Sequence, residues 1–125
     1  MADSVIDRLA DAINMHDIEA LTACFAPAFA NDWPAHPARS FTGTDQVRRN
    51  WEAIFQAYPT VKAKIVRRVH SGNETWGEWE FKNDSHDGAQ FRQRGVIIAE
   101  ANGNRIVKTT FYMEPVESEQ DIPGA

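Results

Sequence analysis

The spacing of apolar residues changes period once along this chain. Val5, Ile6, Leu9 and Ile13 recur on one helical face, and Ser4 followed by Asp7 predicts an N-cap with an acid on the first turn, so a first helix runs to about Asn14. Asn14-Met15-His16-Asp17 breaks it. Asp17 is placed to cap a second helix whose Ile18, Leu21, Cys24 and Phe25 face inward until Pro27 stops it. Residues 28–33 form a short alternating strand that ends in Trp33-Pro34, and an irregular, proline-marked loop follows to Gly43. Thr44 predicts the cap of a third helix, in which Val47, Trp51, Ile54, Phe55 and Tyr58 follow a period of about 3.6 until Pro59. From residue 61 the period falls to two. Val61–His70, Thr75–Lys82, Ala89–Glu100 and Arg105–Glu114 read as four strands, joined by turn-forming residues at Ser71-Gly72-Asn73, from Asn83 to Gly88, and at Ala101-Asn102-Gly103-Asn104. An antiparallel meander of this kind needs a cover on its concave face, and the three helices supply one. The expected class is α+β, a curved sheet wrapped over three helices with room for a cavity between them.

Composition narrows the possibilities. With 42% hydrophobic and 25% charged residues the chain is globular, and at this length a single domain is expected over residues 1–116. The formal charge is −5, but Glu114, Glu117, Glu119 and Asp121 crowd the last twelve residues, leaving the rest nearly neutral. Residues 117–125 read as an acidic, disordered tail. Arg48-Arg49 and Arg67-Arg68 are too short to make a basic face, so no nucleic-acid partner is expected. The N-terminal stretch mixes acids among its apolar residues, which fits neither a signal peptide nor a membrane anchor. A cytoplasmic location follows as the expectation, and the lone Cys24 suits a reducing compartment. His16, His70 and His86 make no metal-ligand spacing, so neither a metal nor a cofactor is expected.

Several short motifs then carry a resemblance. Phe25-Ala26-Pro27 leads into Asn31-Asp32-Trp33-Pro34. Phe41-Thr42-Gly43 precedes the third helix, Arg94-Gly95-Val96 lies on the third long strand, and Phe111-Tyr112-Met113-Glu114-Pro115 closes the last one. With the order of elements, these resemble the SnoaL-like branch of the nuclear transport factor 2-like superfamily over about residues 3–116. The resemblance implies a cone-shaped barrel with a pocket at its open end, and a homodimer through the outer sheet face. It is weak on chemistry, because this fold hosts isomerases, cyclases, hydrolases and non-catalytic modules alike.

The same resemblance singles out Asp32. In ketosteroid isomerases a carboxylate at the matching place abstracts a proton beside a carbonyl, and Trp33 would supply the apolar surroundings such a base needs. The plainer alternative makes Asp32 a turn residue. The isomerases' two oxyanion donors correspond to Leu9 and approximately Val96, neither of which can donate from its side chain, so the familiar steroid isomerisation is not expected. Arg92 and Arg94 share a face by alternation, and if that face is concave Arg94 is a catalytic partner and Arg92 a rim contact. Otherwise both pair with Glu78 and Glu80 outside. The epoxide hydrolases' Arg-x-Asp pair is absent. His36 is a candidate ligand contact on the rim, and Trp51, Phe55, Phe111 and Tyr112 are candidate pocket walls for a small hydrophobic molecule. Trp79 and Phe81 are expected inward, with Glu78, Glu80 and Trp76 outward. Two functions remain: an enzyme of the isomerase, cyclase or hydrolase kind using Asp32 on a hydrophobic carbonyl compound, or a non-catalytic ligand-binding or dimerisation module.

Overall fold

The computed structural model describes residues 2–84 and 90–117, with side chains from Val5 onward. The expected turn at Asp87-Gly88 and the tail beyond Glu117 lie outside the described residues. Helix α1 spans Ala2–Asn14, α2 Ile18–Ala23 and α3 Thr44–Ala57; strand β1 spans Phe25–Asp32, β2 Phe41–Thr42, β3 Lys62–Ser71, β4 Glu74–Lys82, β5 Arg92–Asn102 and β6 Arg105–Pro115. A 3-10 turn at Pro37–Arg39 interrupts the loop between β1 and β2. The strands form one sheet in the order β2-β1-β6-β5-β4-β3, in which β1 runs parallel to β6 and every other pairing is antiparallel.

Local chemistry sets most boundaries. The Asp17 carboxylate accepts from Ala20 N at 3.0 Å and starts α2 as the sequence predicts. That helix ends at Ala23, so Phe25 opens β1 rather than closing α2. Pro27 lies inside β1 instead of stopping the helix. It falls where the pairing of β1 with β6 shifts between Phe25 and Ala30, a place where a missing N–H costs no ladder bond. Helix α1 begins ahead of Ser4, and α3 is capped by Gly43 while Thr44 donates its hydroxyl to Ala26 O at 2.9 Å. The linker between α1 and α2 is fastened to the sheet. Asn14 accepts from Ala63 N at 2.7 Å and donates to Ala63 O at 3.0 Å, as a neighbouring strand would, and His16 Nε2–H donates to Val61 O at 2.8 Å.

The helices lie on the concave face of the sheet. Val5, Ile6, Leu9 and Ile13 of α1 and Leu21 of α2 pack there against Trp79, Ile97 and Met113. Cys24 belongs to this core at 1% exposure, and burial pushes its thiol up against the opposing pull of Arg8, which keeps it protonated and unreactive. Thr75, Trp79 and Phe81 of β4 point inward while Trp76 is exposed, in agreement with the alternation. One extra residue in β3, Val66, shifts the register between Ile65 and Arg67 and turns the far half of the strand over. Val69 therefore joins Trp76 and Tyr112 as exposed apolar residues of the outer face.

Candidate functional site

Between the concave sheet and the helices lies a cavity of about 650 Å³. Inward positions of the strands build one wall: Phe29 and Asn31 of β1, Trp79 and Phe81 of β4, Gln93 and Ile97 of β5, Thr109 and Phe111 of β6. Leu9 and Ile13 of α1 close the narrow end, and Val47, Asn50, Trp51 and Ile54 present one side of α3. The mouth is bounded by the loop after β1, which contributes Trp33, Ala38, Arg39 and Ser40. That loop is braced from within. Trp33 N–H donates to Ser40 Oγ at 2.9 Å, the Trp33 indole meets Phe111 edge-on at 5.4 Å between centroids, and the Arg39 guanidinium lies over the indole at 4.8 Å.

The polar part of the wall is small and specific. Thr109 Oγ1–H donates to Asn31 Oδ1 at 2.7 Å, and both residues are buried. This bond fixes one end of the Asn31 amide. Its NH2 end has no acceptor among the described residues and opens onto the cavity. On α3, Gln46 donates to Asn50 and accepts from Arg49, both at 2.7 Å, so the Gln46 amide is engaged at both ends. Among the described residues Trp33 Nε1–H has no acceptor, although it is enclosed, a cost of roughly 1–3 kcal/mol. Among the described lining residues there is no Asp, Glu, His, Lys, Tyr or Cys; Arg39 alone is ionisable.

The expected site residues divide by the side of the sheet they occupy. Trp33, Trp51 and Phe111 line the cavity. Asp32 does not: it is the exposed last residue of β1, and the alternation that turns Phe29 and Asn31 inward turns Asp32 out. Arg92 and Arg94 also lie on the outer face. Arg92 donates to Glu80 at 3.0 Å and Arg94 to Glu78 at 2.9 Å, the external pairing that was the alternative reading. Arg94, and then Arg67, hold the Glu78 carboxyl below the usual carboxylate range, so the charge of Arg94 is spent outside the cavity. His36 reaches over the sheet edge to Glu114 at 2.8 Å and does not line the cavity. Phe55 stacks on His16 at 4.2 Å and does not line the cavity. Tyr112 is 47% exposed on the outer face, one position from the lining Phe111. Reasoning from sequence passed over Asn31, Thr109, Gln93 and Arg39. The signal for the first was available, because Trp33 inward on an alternating strand implies Asn31 inward. Among the described residues no cluster of three potential metal ligands occurs. No helix of the structure is long and apolar enough to cross a membrane.

Comparison with known proteins agrees with this architecture. The family described as SnoaL-like domain matches residues 6–109. No curated protein matches the sequence. Among solved structures, IdmH of Streptomyces antibioticus, a candidate polyketide cyclase, shares 16% identity at a TM-score of 0.77, over 91% of this chain and 92% of its own. A protein of ketosteroid isomerase-like fold from Catenulispora acidiphila, solved with trimethylamine, shares 16% at 0.73 over 90% and 87% of the two chains. A candidate SnoaL-like polyketide cyclase from Jannaschia shares 11% at 0.73, over 90% and 85%. At such identities the likeness establishes the fold, the nuclear transport factor 2-like α+β arrangement of three helices on a mixed six-stranded sheet.

Proposed function

The chain belongs to the SnoaL-like domain family, and from that premise we propose that its cavity holds a flat, mostly apolar small molecule bearing a carbonyl, bound by shape and by a hydrogen bond to that carbonyl. The observation that carries this reading is the composition of the wall. Aromatic rings from Phe29, Trp33, Trp51, Trp79, Phe81 and Phe111 surround the space, and the open amide end of Asn31 supplies a fixed donor. A volume of about 650 Å³ lies within the range of small-molecule sites.

The lack of carboxylates among the described lining residues also bears on chemistry. A general base must come within hydrogen-bond reach of the proton it removes, and the exposure of Asp32 supports the binding reading over proton abstraction by that residue. Neighbours named as polyketide cyclases suit a cavity of this kind. A chain of carbonyls that reacts with itself needs to be folded and held, which contributes through positioning and a preorganised dipole rather than an ionised base. The homodimer and the cytoplasmic location stay part of the proposal. The pairing surface would be the outer sheet face, where Val69, Trp76 and Tyr112 are exposed among ion pairs.

The experiment is calorimetric binding of acetylnaphthalene to the wild type and to Asp32→Asn, with exchange of the ketone's methyl hydrogens followed by NMR in deuterated water. The expected result is a dissociation constant equal within about twofold and equal exchange rates for both proteins. A tenfold loss of affinity in Asp32→Asn, or exchange that only the wild type promotes, would overturn the reading that the cavity works without Asp32.

A further inference from the structure

We infer that the ligand carries an anionic group, a carboxylate in the simplest case, which Arg39 receives at the mouth of the cavity. The inference rests on the cavity being the ligand site and adds the charge of its occupant.

Arg39 differs from its neighbours in what it lacks. Arg48, Arg67, Arg68, Arg92 and Arg94 each bond a carboxylate, and Arg49 bonds Gln46. The guanidinium of Arg39 has no hydrogen-bond acceptor among the described residues; its contact is with the face of the Trp33 indole. Glu114, the acid tied to this loop, is taken by His36. Contact with the indole holds the guanidinium at the mouth and leaves its N–H donors without an acceptor among the described residues, and a guanidinium with free donors can meet a carboxylate with two parallel bonds.

The position agrees with the charge. Arg39 sits on the 3-10 turn Pro37–Arg39, exposed and yet part of the cavity lining, so its charge stays hydrated until a ligand arrives. An anion there meets no opposing carboxylate, since the described lining has none. The other amides on the rim, Gln46 and Asn50, are neutral and bonded to each other, so Arg39 is the charged donor of the described lining. Trp33, which lies under the guanidinium, is also the residue whose enclosed indole N–H has no acceptor among the described residues. An enclosed N–H and a guanidinium thus lie together in one contact at the mouth. An elongated ligand with its apolar body against Trp51, Phe81 and Phe111 and its carbonyl at Asn31 presents its far end to this pair.

Two probes of one shape separate charge from cavity: naphthoate and methyl naphthoate, titrated at neutral pH against the wild type, Arg39→Gln and Arg39→Lys. In the wild type naphthoate is expected to bind about tenfold tighter than the ester, with an advantage that shrinks as salt is added. Arg39→Gln removes the advantage, so that this variant binds naphthoate and the ester alike, and Arg39→Lys keeps part of it, since an ammonium retains charge without the planar fork. Equal binding of the two probes to the wild type overturns the anionic end while leaving the cavity reading intact. A preference for naphthoate that survives Arg39→Gln also overturns it, by placing the anion elsewhere. If neither probe binds, the cavity reading falls and this inference falls with it.

Discussion

Replacing Asn31 by Leu and Thr109 by Val together weakens binding of acetylnaphthalene roughly tenfold and leaves binding of ethylnaphthalene, its hydrocarbon counterpart, unchanged. The two substitutions belong together because of the 2.7 Å bond between these buried side chains. Removing one partner strands the other, at a cost of roughly 1–3 kcal/mol in stability, whereas replacing both with apolar groups of similar shape is close to neutral. Thr109→Val alone therefore lowers thermal stability, and the double variant recovers it. A ketone loses its hydrogen bond to the Asn31 amide in the double variant; a hydrocarbon has none to lose. The measurement is a pair of calorimetric titrations beside a thermal melt. Equal losses for ketone and hydrocarbon would mean that the double substitution deforms the cavity rather than removing a donor.

The largest effect on stability is expected at Gly95. A Cβ built there collides with the backbone carbonyl oxygen of Tyr112 on β6, and a backbone atom of a paired strand has nowhere to move. Gly95→Ala should cost roughly 3 kcal/mol, at the upper end for overpacking, and lower the melting temperature by about 10–15 °C. Gly103 provides the control. It has φ +64° in the turn between β5 and β6 with open space around its Cα, so Gly103→Ala carries only the backbone penalty of a left-handed residue, about 1 kcal/mol. A Gly95→Ala protein that melts with the wild type would show that β5 and β6 are not packed as described. The glycine also bears on the site, since it lies between the two lining positions Gln93 and Ile97.

Helices, strand order along the chain and the inward faces of β4 were legible because each rests on a local period that repeats several times. Trp79 and Phe81 alternate with Glu78 and Glu80, and no one-residue slip leaves both sets in tolerable surroundings. The site was less legible, for the same reason applied where the period is short. Asp32 ends β1 and Trp33 follows it, and only Trp33 of the two lines the cavity; choosing the ionisable residue over the neighbour in register with Phe29 put the emphasis one position away from Asn31. Phe111 and Tyr112 pose the same choice, and there the extra residue of β6 near Val107 shifts the count between the buried Ile106 and the buried Thr109. Arg92 and Arg94 depend on the pairing of β4 with β5, which sets Glu80 opposite Arg94 and is not encoded in either strand alone. Arg39 gave no periodic signal, since it lies on a 3-10 turn whose place over Trp33 is a product of tertiary packing.

The most direct test of a ligand-holding cavity uses the four tryptophans as reporters. Trp33, Trp51 and Trp79 line the cavity, while Trp76 stands on the opposite face of the sheet with its indole N–H donated to Glu74. In protein labelled at the indole nitrogens, titration with acetylnaphthalene should shift the Trp33, Trp51 and Trp79 resonances together on one binding curve and leave Trp76 where it was. A ketone that binds while moving Trp76 and none of the other three would place the ligand on the outer face and contradict the account.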